Sequence, residues 1–270
     1  MTAPAAALPV FAELPASKHW RKMDFISDLH LRAEEEETFR AWMQYMLNTS
    51  ADAVFILGDL FEAWVGDDCD GPNSFESRCG DVLRAAGAVR DVFFMRGNRD
   101  FLVGADFLQR HNLKALADPT VLVLNPDRRY LLTHGDQLCA DDKAYQQFRA
   151  QVRSESWQKA FLARPLADRQ TLARQMRARS EQHQAAAGIR ADVQLQLSHR
   201  WLAQSNSTFL IHGHTHRPGF QEPSFDAQGR SLTVAVLSDW HISGYQRRAE
   251  VLRLTAADGA LRALAPNETV

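Results

Sequence analysis

The chain has 270 residues, enough for one large domain or for a core with an insertion. Its 45% apolar content allows a sizeable buried core, and a formal net charge of −2 gives no global reason to bind nucleic acid. The three scattered cysteines, Cys69, Cys79 and Cys139, have neither zinc-finger spacing nor the pattern of a disulfide framework, and no stretch reaches the roughly 18–20 apolar residues of a membrane span.

Residues 1–19 are rich in Ala and Pro and lack both a basic start and an uninterrupted apolar run. They are predicted to be a flexible tail, not a signal peptide. Short apolar runs of strand length then recur, and nearly all end in the same kind of residue. "MDFIS" leads into Asp28-Leu29-His30, "AVFIL" into Gly58-Asp59, and "VFFMR" into Gly97-Asn98-Arg99-Asp100. "RYLLT" leads into His134-Gly135-Asp136, "TFLI" into His212-Gly213-His214-Thr215-His216, and "TVAVL" into Ser238-Asp239-Trp240-His241. Helical pattern lies between several of them. "EEEETFRAWMQYMLN" sets Phe39, Met43 and Met46 on one face with acids at its start, and "FESRCGDVLRAAG" follows later. Alternating strands and helices indicate an α/β fold, in which sites form beyond the carboxyl ends of the strands.

Residues 141–204 break this rhythm. They read as helices interrupted at Pro165, with Tyr145, Phe148, Val152, Trp157, Phe161 and Leu162 forming an apolar stripe. Residues 151–200 hold nine Lys or Arg against four Asp or Glu, and Arg169, Arg174, Arg177 and Arg179 populate one helix. This reads as a helical insertion with a basic rim. The predicted division is a tail over 1–19, a core over 20–140 and 205–266, and an insertion over 141–204. The end, "AEVLRLTAADGALRAL", reads as a hairpin turning near Asp258-Gly259.

Five loops thus carry imidazole, carboxylate or amide groups: Asp28 with His30, Asp59, Asn98, His134, and the histidine cluster. A pair of divalent ions needs several N or O ligands each and a shared anion, and has no need of thiolate. An alternating pair such as Asp28-x-His30 can direct both side chains to one side.

"DLH", "GDLFE", "GNRD", "HGD" and "GHTH", in that order over residues 23–241, resemble the five-block signature of the calcineurin-like metallophosphoesterases. More narrowly, "GDLFEAWVGDD", "GNRDFLVG", "HGDQLCADD" and "IHGHTHRP" resemble the UDP-2,3-diacylglucosamine diphosphatase family of lipid A synthesis. The resemblance implies a four-layer αββα sandwich with a helical lid. It implies two Mn²⁺ ions, one on Asp28, His30 and His216, the other on Asn98, His134 and His214, with Asp59 bridging. His212 is then a strand end and not a ligand, and Gly213 serves a sharp backbone turn. The implied reaction splits the substrate's pyrophosphate into UMP and 2,3-diacylglucosamine 1-phosphate by water attack on the α-phosphorus, with Arg99, Asp59 and His214 catalytic.

Arg99 stands where many members of the superfamily carry a histidine. An alkoxide leaving group benefits from a proton donor, whereas the phosphate released from a pyrophosphate is already a stable anion and needs positive charge. Arg99 therefore favours pyrophosphate cleavage. The resemblance also implies substrate contacts by Asn98, Arg99, Asp142, Ser180, Gln184 and His214. The family's lysine has no counterpart, because Ala185, Ala186 and Ala187 stand there, with Arg190 the candidate substitute. The acidic run Glu62, Asp67, Asp68 and Asp70 either tunes the metals from behind their ligands or is a solvated loop. Trp64 and Trp240 are expected to pack.

The implied partners are an acylated sugar nucleotide and, peripherally, the cytoplasmic face of a Gram-negative inner membrane, with no nucleic acid and no inferred protein partner. The alternatives that stay open are another metal-dependent nucleotide pyrophosphatase or phosphodiesterase, a protein phosphatase, and a metal-binding interaction protein without turnover.

Overall fold

The computed structural model describes residues 8–187, 192–243 and 247–270, with the backbone alone for 179–187. The first half runs β1 (Ala12–Pro15), β2 (Lys22–Ile26), α1 (Glu36–Asn48), β3 (Ala53–Leu57), α2 (Phe75–Gly87), β4 (Asp91–Met95), α3 (Ala105–Arg110), β5 (Lys114–Leu116), β6 (Thr120–Asn125) and β7 (Arg128–Thr133). Four helices follow, α4 (Lys143–Val152), α5 (Glu155–Leu162), α6 (Leu166–Ala187) and α7 (Leu195–Gln204). The chain closes with β8 (Phe209–His212), β9 (Gly219–Phe220), β10 (Ser224–Phe225), β11 (Ser231–Val236), β12 (Val251–Thr255) and β13 (Leu261–Leu264).

The strands form two sheets. One has the order β13-β12-β2-β3-β4-β5, the other β1-β6-β7-β8-β11-β10 with β9 also on β11. β2, β3 and β4 are mutually parallel, as are β7, β8 and β11. Their continuous apolar runs suit strands covered on both faces. Met23, Phe25, Phe55, Leu57, Phe93 and Met95 meet Leu122, Leu132, Ile211 and Ala235 between the sheets. The Phe25, Phe55 and Phe93 rings stack at 5.1 and 4.8 Å. The alternate residues, Ile26, Val54, Ile56, Val92 and Phe94, pack outward against Phe39, Trp42 and Met46 of α1 and Val82 and Leu83 of α2. On the far side Leu131, Leu210 and Val234 pack against Leu197, Trp201 and Leu202 of α7. The layering is αββα, the expected fold class. β12 and β13 form the expected hairpin.

The reading of 1–19 as a flexible tail does not hold for its second half. β1 adds a parallel edge strand to β6, and Phe11 packs edge-on against Trp201 with ring centroids 5.7 Å apart. The physical reason is local. Phe11 and Leu14 find apolar surface beside an unpaired sheet edge, which a composition-based reading cannot locate. Residues 1–7 lie outside the described residues.

The insertion's apolar stripe is buried only in part. Val152 and Phe161 are buried, whereas Phe148 and Leu162 are each 41% exposed. Its arginines do not all form a rim either. Arg169 is buried, and its guanidinium binds the Asp68 carboxylate and the Val65 carbonyl, docking α6 onto the loop after β3. Trp64 and Trp240 pack in the core, as expected, and all three cysteines are buried and free.

Away from the strand ends that carry the motifs, Asp24 of β2 is fully buried and takes two bonds from Arg253 of β12, at 2.7 and 2.9 Å. Thr49 Oγ1 at 2.8 Å and Tyr45 Oη at 3.2 Å also donate to it. Removing one member of such a pair strands the other charge in an apolar layer. Arg253→Met is expected to lower unfolding free energy by about 3–5 kcal/mol, read from urea denaturation.

Candidate metal centre

The parallel strands β2, β3 and β4 of one sheet and β7 and β8 of the other bring their carboxyl ends to one place. Hydrogen bonds between the sheets fix that convergence. His134 Nδ1 donates to the Leu57 carbonyl at 2.9 Å, and His214 N donates to Asp28 Oδ2 at 2.8 Å. A carbonyl only accepts, so the His134 proton is on Nδ1 and Nε2 is the atom turned toward the site.

Asp28, His30, Asp59, His214 and His216 all leave their strands at positive φ, between 48° and 68°. Such a conformation costs an L-residue about 1–2 kcal/mol and persists only where the surroundings over-determine it. Here it swings side chains from successive loops inward. Close approach also requires missing side chains. A Cβ on Gly58, which sits at φ +88°, would meet Gly97 Cα at 2.6 Å and His134 Nδ1 at 2.7 Å. Gly213, expected to permit a sharp turn, has a different role. Its φ is not left-handed, and a Cβ there would collide with Asp28 Oδ2 and Ser27 Oγ.

Two groups of donor atoms each lie within 4.8 Å of one another: Asp28, His30 and His216, and Asp28, Asp59 and His134. His30 Nε2 is 3.2 Å from His216 Nε2 and 3.9 Å from Asp28 Oδ1. His216 Nε2 is 3.4 Å from the same Asp28 oxygen. Asp59 lies between the halves, with Oδ2 4.0 Å from His30 Nε2 and Oδ1 3.7 Å from His134 Nε2. Asn98 Oδ1 is 2.9 Å from His134 Nε2 and 2.8 Å from His214 Nδ1. The seven residues singled out in the sequence are therefore neighbours, and Asp28 touches both groups. His212 ends β8 with Nδ1 against the Gly213 carbonyl, outside both.

The electrostatics suit a cation. Asp28 Oδ1 is buried and has no hydrogen-bond partner among the described residues, although three imidazoles approach it. Burial opposes its charge, but His216, His134 and His30 hold Asp28 well below the usual carboxylate range. Burial, with the charge of His216 and Arg99 and against that of Asp28, presses His30 down to about 3. Burial, with the charge of His134, presses His214 down to about 4, so both rings offer lone pairs at neutral pH. Burial also pushes the Asp59 carboxyl up to about 7. For His134 burial is outweighed by the Asp59, Asp28 and Asp136 carboxylates, which lift it to about 9. The donor set of carboxylate, imidazole and amide oxygen fits a hard or borderline divalent ion.

Arg99 stands at the edge of the cluster, with its backbone N–H donating to Asp59 Oδ1 at 2.8 Å and its side chain 25% exposed. Asp142 accepts from Tyr145 N at 2.9 Å and so caps α4. Ser180 and Gln184 fall on α6, but their side chains, like Arg190, lie outside the described residues. The acidic run divides. Glu62 faces His30 at 3.5 Å, Asp67 binds Gly104 N and Phe107 N at the start of α3, Asp68 holds Arg169, and Asp70 holds Arg110 and His111.

Two supporting acids were not singled out from the sequence. Asp100 is fully buried and accepts from Leu60 N and Gly97 N, both at 2.8 Å, stitching the loops of Asp59 and Asn98 together. Asp136, also buried, accepts from Tyr145 Oη and Arg149 Nε at 2.7 Å and fastens α4 beside His134. Their places in "GNRD" and "HGD" were the available signal.

The sequence pattern of the calcineurin-like phosphoesterases matches residues 22–218. The chain belongs to this family. Within it, the chain is 41% identical to a UDP-2,3-diacylglucosamine hydrolase of Chromobacterium violaceum, over 89% of this chain and 97% of that protein. It is 44% identical to one of Xanthomonas oryzae pv. oryzae, over 86% and 94%, and 43% identical to one of Aromatoleum aromaticum, over 80% and 88%. Family membership implies a divalent-metal site, and the converging donors are where this phosphoesterase can hold one.

A metal competes with protons for its ligands. His134 keeps its second proton below about 9 and Asp59 its proton below about 7. Mn²⁺ affinity is therefore expected to rise with pH up to about 9, more steeply below about 7, with proton release on binding. Calorimetric titration in buffers of different ionisation enthalpy measures both, and a pH-independent affinity would contradict the assignment.

Proposed function

We propose that the protein hydrolyses UDP-2,3-diacylglucosamine to UMP and 2,3-diacylglucosamine 1-phosphate, as a step of lipid A synthesis. The observation that carries this reading is the seven-residue donor cluster with a fixed cation, Arg99, at its edge, in a chain more than 40% identical to proteins of that name. Asp28, His30 and His216 would hold one divalent ion, Asn98, His134 and His214 the other, and Asp59 would bridge them. Manganese suits this mixture of oxygen and imidazole donors. When bound, the ions supply the positive charge that makes water nucleophilic near neutral pH and neutralises phosphoryl oxygens.

The chain's own residues do the rest. Asp28 and Asp59 balance the cationic charge. The Leu57 carbonyl fixes the His134 tautomer and ring plane. Asn98 Oδ1 lies 2.9 Å from His134 Nε2 and 2.8 Å from His214 Nδ1, so the three atoms are grouped where they would take one ion together. Arg99 offers a planar, positively charged fork to pyrophosphate oxygens, so the departing sugar phosphate leaves as an anion without needing a proton. Asp142 uses one oxygen to cap α4, which leaves the other for the headgroup, where Ser180 and Gln184 would join it. The core would comprise 20–140 and 205–266 and the insertion 141–204, of which α7 packs on the second sheet and the helices before it would form a lid over the acyl chains.

The test is direct. Purified protein with Mn²⁺ and UDP-2,3-diacylglucosamine is expected to release UMP. His214→Ala and His216→Ala are each expected to lower kcat/KM by roughly a thousandfold or more, and His212→Ala by much less. Absence of UMP alongside brisk hydrolysis of a simple phosphodiester would overturn the substrate.

The insertion supports peripheral association with the cytoplasmic face of the inner membrane. The insertion exposes Lys159, Arg164 and Arg174, and Phe148 and Leu162 are half-exposed on it. Each cation near an anionic surface contributes about 1 kcal/mol, and no described helix is long and apolar enough to cross a bilayer. The protein is expected to sediment with anionic vesicles at low salt and to be released by high salt. Sedimentation no greater than that of a cytosolic control would sink this assignment.

A further inference from the structure

Glu62 sits three residues beyond Asp59 on a backbone clamped to the neighbouring loop. Its N–H donates to the Leu31 carbonyl at 3.2 Å, beside the bridge between Leu31 and Phe61. Its side chain is only 13% exposed and faces His30, Arg99 and Arg177 among others. Oε2 is 3.5 Å from His30 Nδ1, and Oε1 is 3.1 Å from Arg177 Nη1 of α6 and 3.8 Å from Arg99 Nη1. The His30 ring thus lies between a carboxylate on one side and, through Nε2, the cluster of Asp28, Asp59 and His216 on the other.

A neutral imidazole carries one ring proton. A carboxylate beside Nδ1 favours the proton there and leaves the Nε2 lone pair directed at the cluster. His30 Nδ1 is buried and makes no hydrogen bond among the described residues, and Glu62 Oε2, 3.5 Å away, is the carboxylate oxygen beside it, a contact of charge and not a formed hydrogen bond. Glu62 is on the wrong side of the ring to be a ligand itself. Its shorter contact is with Arg177, which belongs to the insertion, and not with Arg99 of its own core.

We propose that Glu62 is a positioning residue for the ion held by Asp28, His30 and His216, and that its ion pair with Arg177 makes α6 part of the same device. This rests on reading those three residues as metal ligands. The insertion then does more than cover a substrate. It helps hold the carboxylate that sets the ring plane and tautomer of a ligand in the core.

The test is calorimetric titration of the metal-stripped full chain with Mn²⁺, with the melting temperature of each metal-free variant as a check of folding. The wild type is expected to bind two equivalents. In Glu62→Ala one equivalent is expected to weaken by about 10–100-fold while the other stays within about threefold. Glu62→Gln keeps an acceptor for Nδ1 and loses the charge, so it is expected to recover part of that loss. Arg177→Gln is expected to weaken the same equivalent by a smaller factor. Both equivalents unchanged in Glu62→Ala overturns the role of Glu62, and so does an unchanged Glu62→Gln if the alanine variant does not fold. An unchanged Arg177→Gln overturns the part assigned to α6. A wild type that takes up no Mn²⁺ overturns the metal reading and the inference with it, whereas normal wild-type binding beside an unaffected Glu62→Ala overturns the inference alone.

Discussion

The hydrogen bond from His214 N to Asp28 Oδ2 crosses from one sheet to the other at the point where their strands end. With the bond from His134 Nδ1 to the Leu57 carbonyl, it holds two independent sheets at a fixed separation along one edge. The site depends on that separation. Each sheet supplies an incomplete set of donors: the β2, β3 and β4 ends carry Asp28, His30, Asp59 and Asn98, and the β7 and β8 ends carry His134, His214 and His216. The aromatic layer of Phe25, Phe55 and Phe93 sets the spacing, and the two bonds set the register. A close-packed interior of this kind deforms little, so donors mounted on its rim stay converged before any ion arrives.

Convergence has a local cost that the fold absorbs. Five candidate ligands occupy left-handed backbone, and several buried carboxylates and imidazoles crowd within a few ångströms. In isolation the loops would relax away from that arrangement. Asp100 prevents it by accepting from the backbone of two loops at once, and Gly58, Gly97 and Gly213 remove the side chains that would keep the loops apart. The crowding has a use. Burial keeps His30 and His214 neutral, and the imidazoles keep Asp28 ionised, which is the protonation pattern a divalent cation needs.

The insertion is joined to this rim by ion pairs and hydrogen bonds as well as by the apolar contacts of Phe161, Leu166 and Leu172. Asp136 binds Tyr145 and Arg149 of α4, Asp68 binds Arg169 of α6, and Glu62 binds Arg177 of the same helix. Arg153 adds a bond to the Gly97 carbonyl at 2.9 Å. These attachments fall on or beside the loops that carry the candidate ligands. These anchors hold the helices in place while Phe148 and Leu162 stay half-exposed.

Much was legible in the chain itself. Apolar runs ending in Asp, Asn or His determine a parallel α/β sheet with donors at its carboxyl edge, because side-chain periodicity and strand burial are local properties of sequence. The five motif blocks identify the donors, and their order follows the strands. Other features are pairings between distant segments and leave no local trace. The sharing of Asp28 by both donor groups, the partition of the acidic run into one site carboxylate and three structural ones, and the conversion of Arg169 from a rim charge to a buried anchor are of this kind. So is the addition of β1 to the second sheet. Gly213 shows the difference in one residue. Its sequence context suggested a turn, but what forbids a side chain there is Asp28, 185 positions earlier in the chain, brought alongside only when the two sheets close.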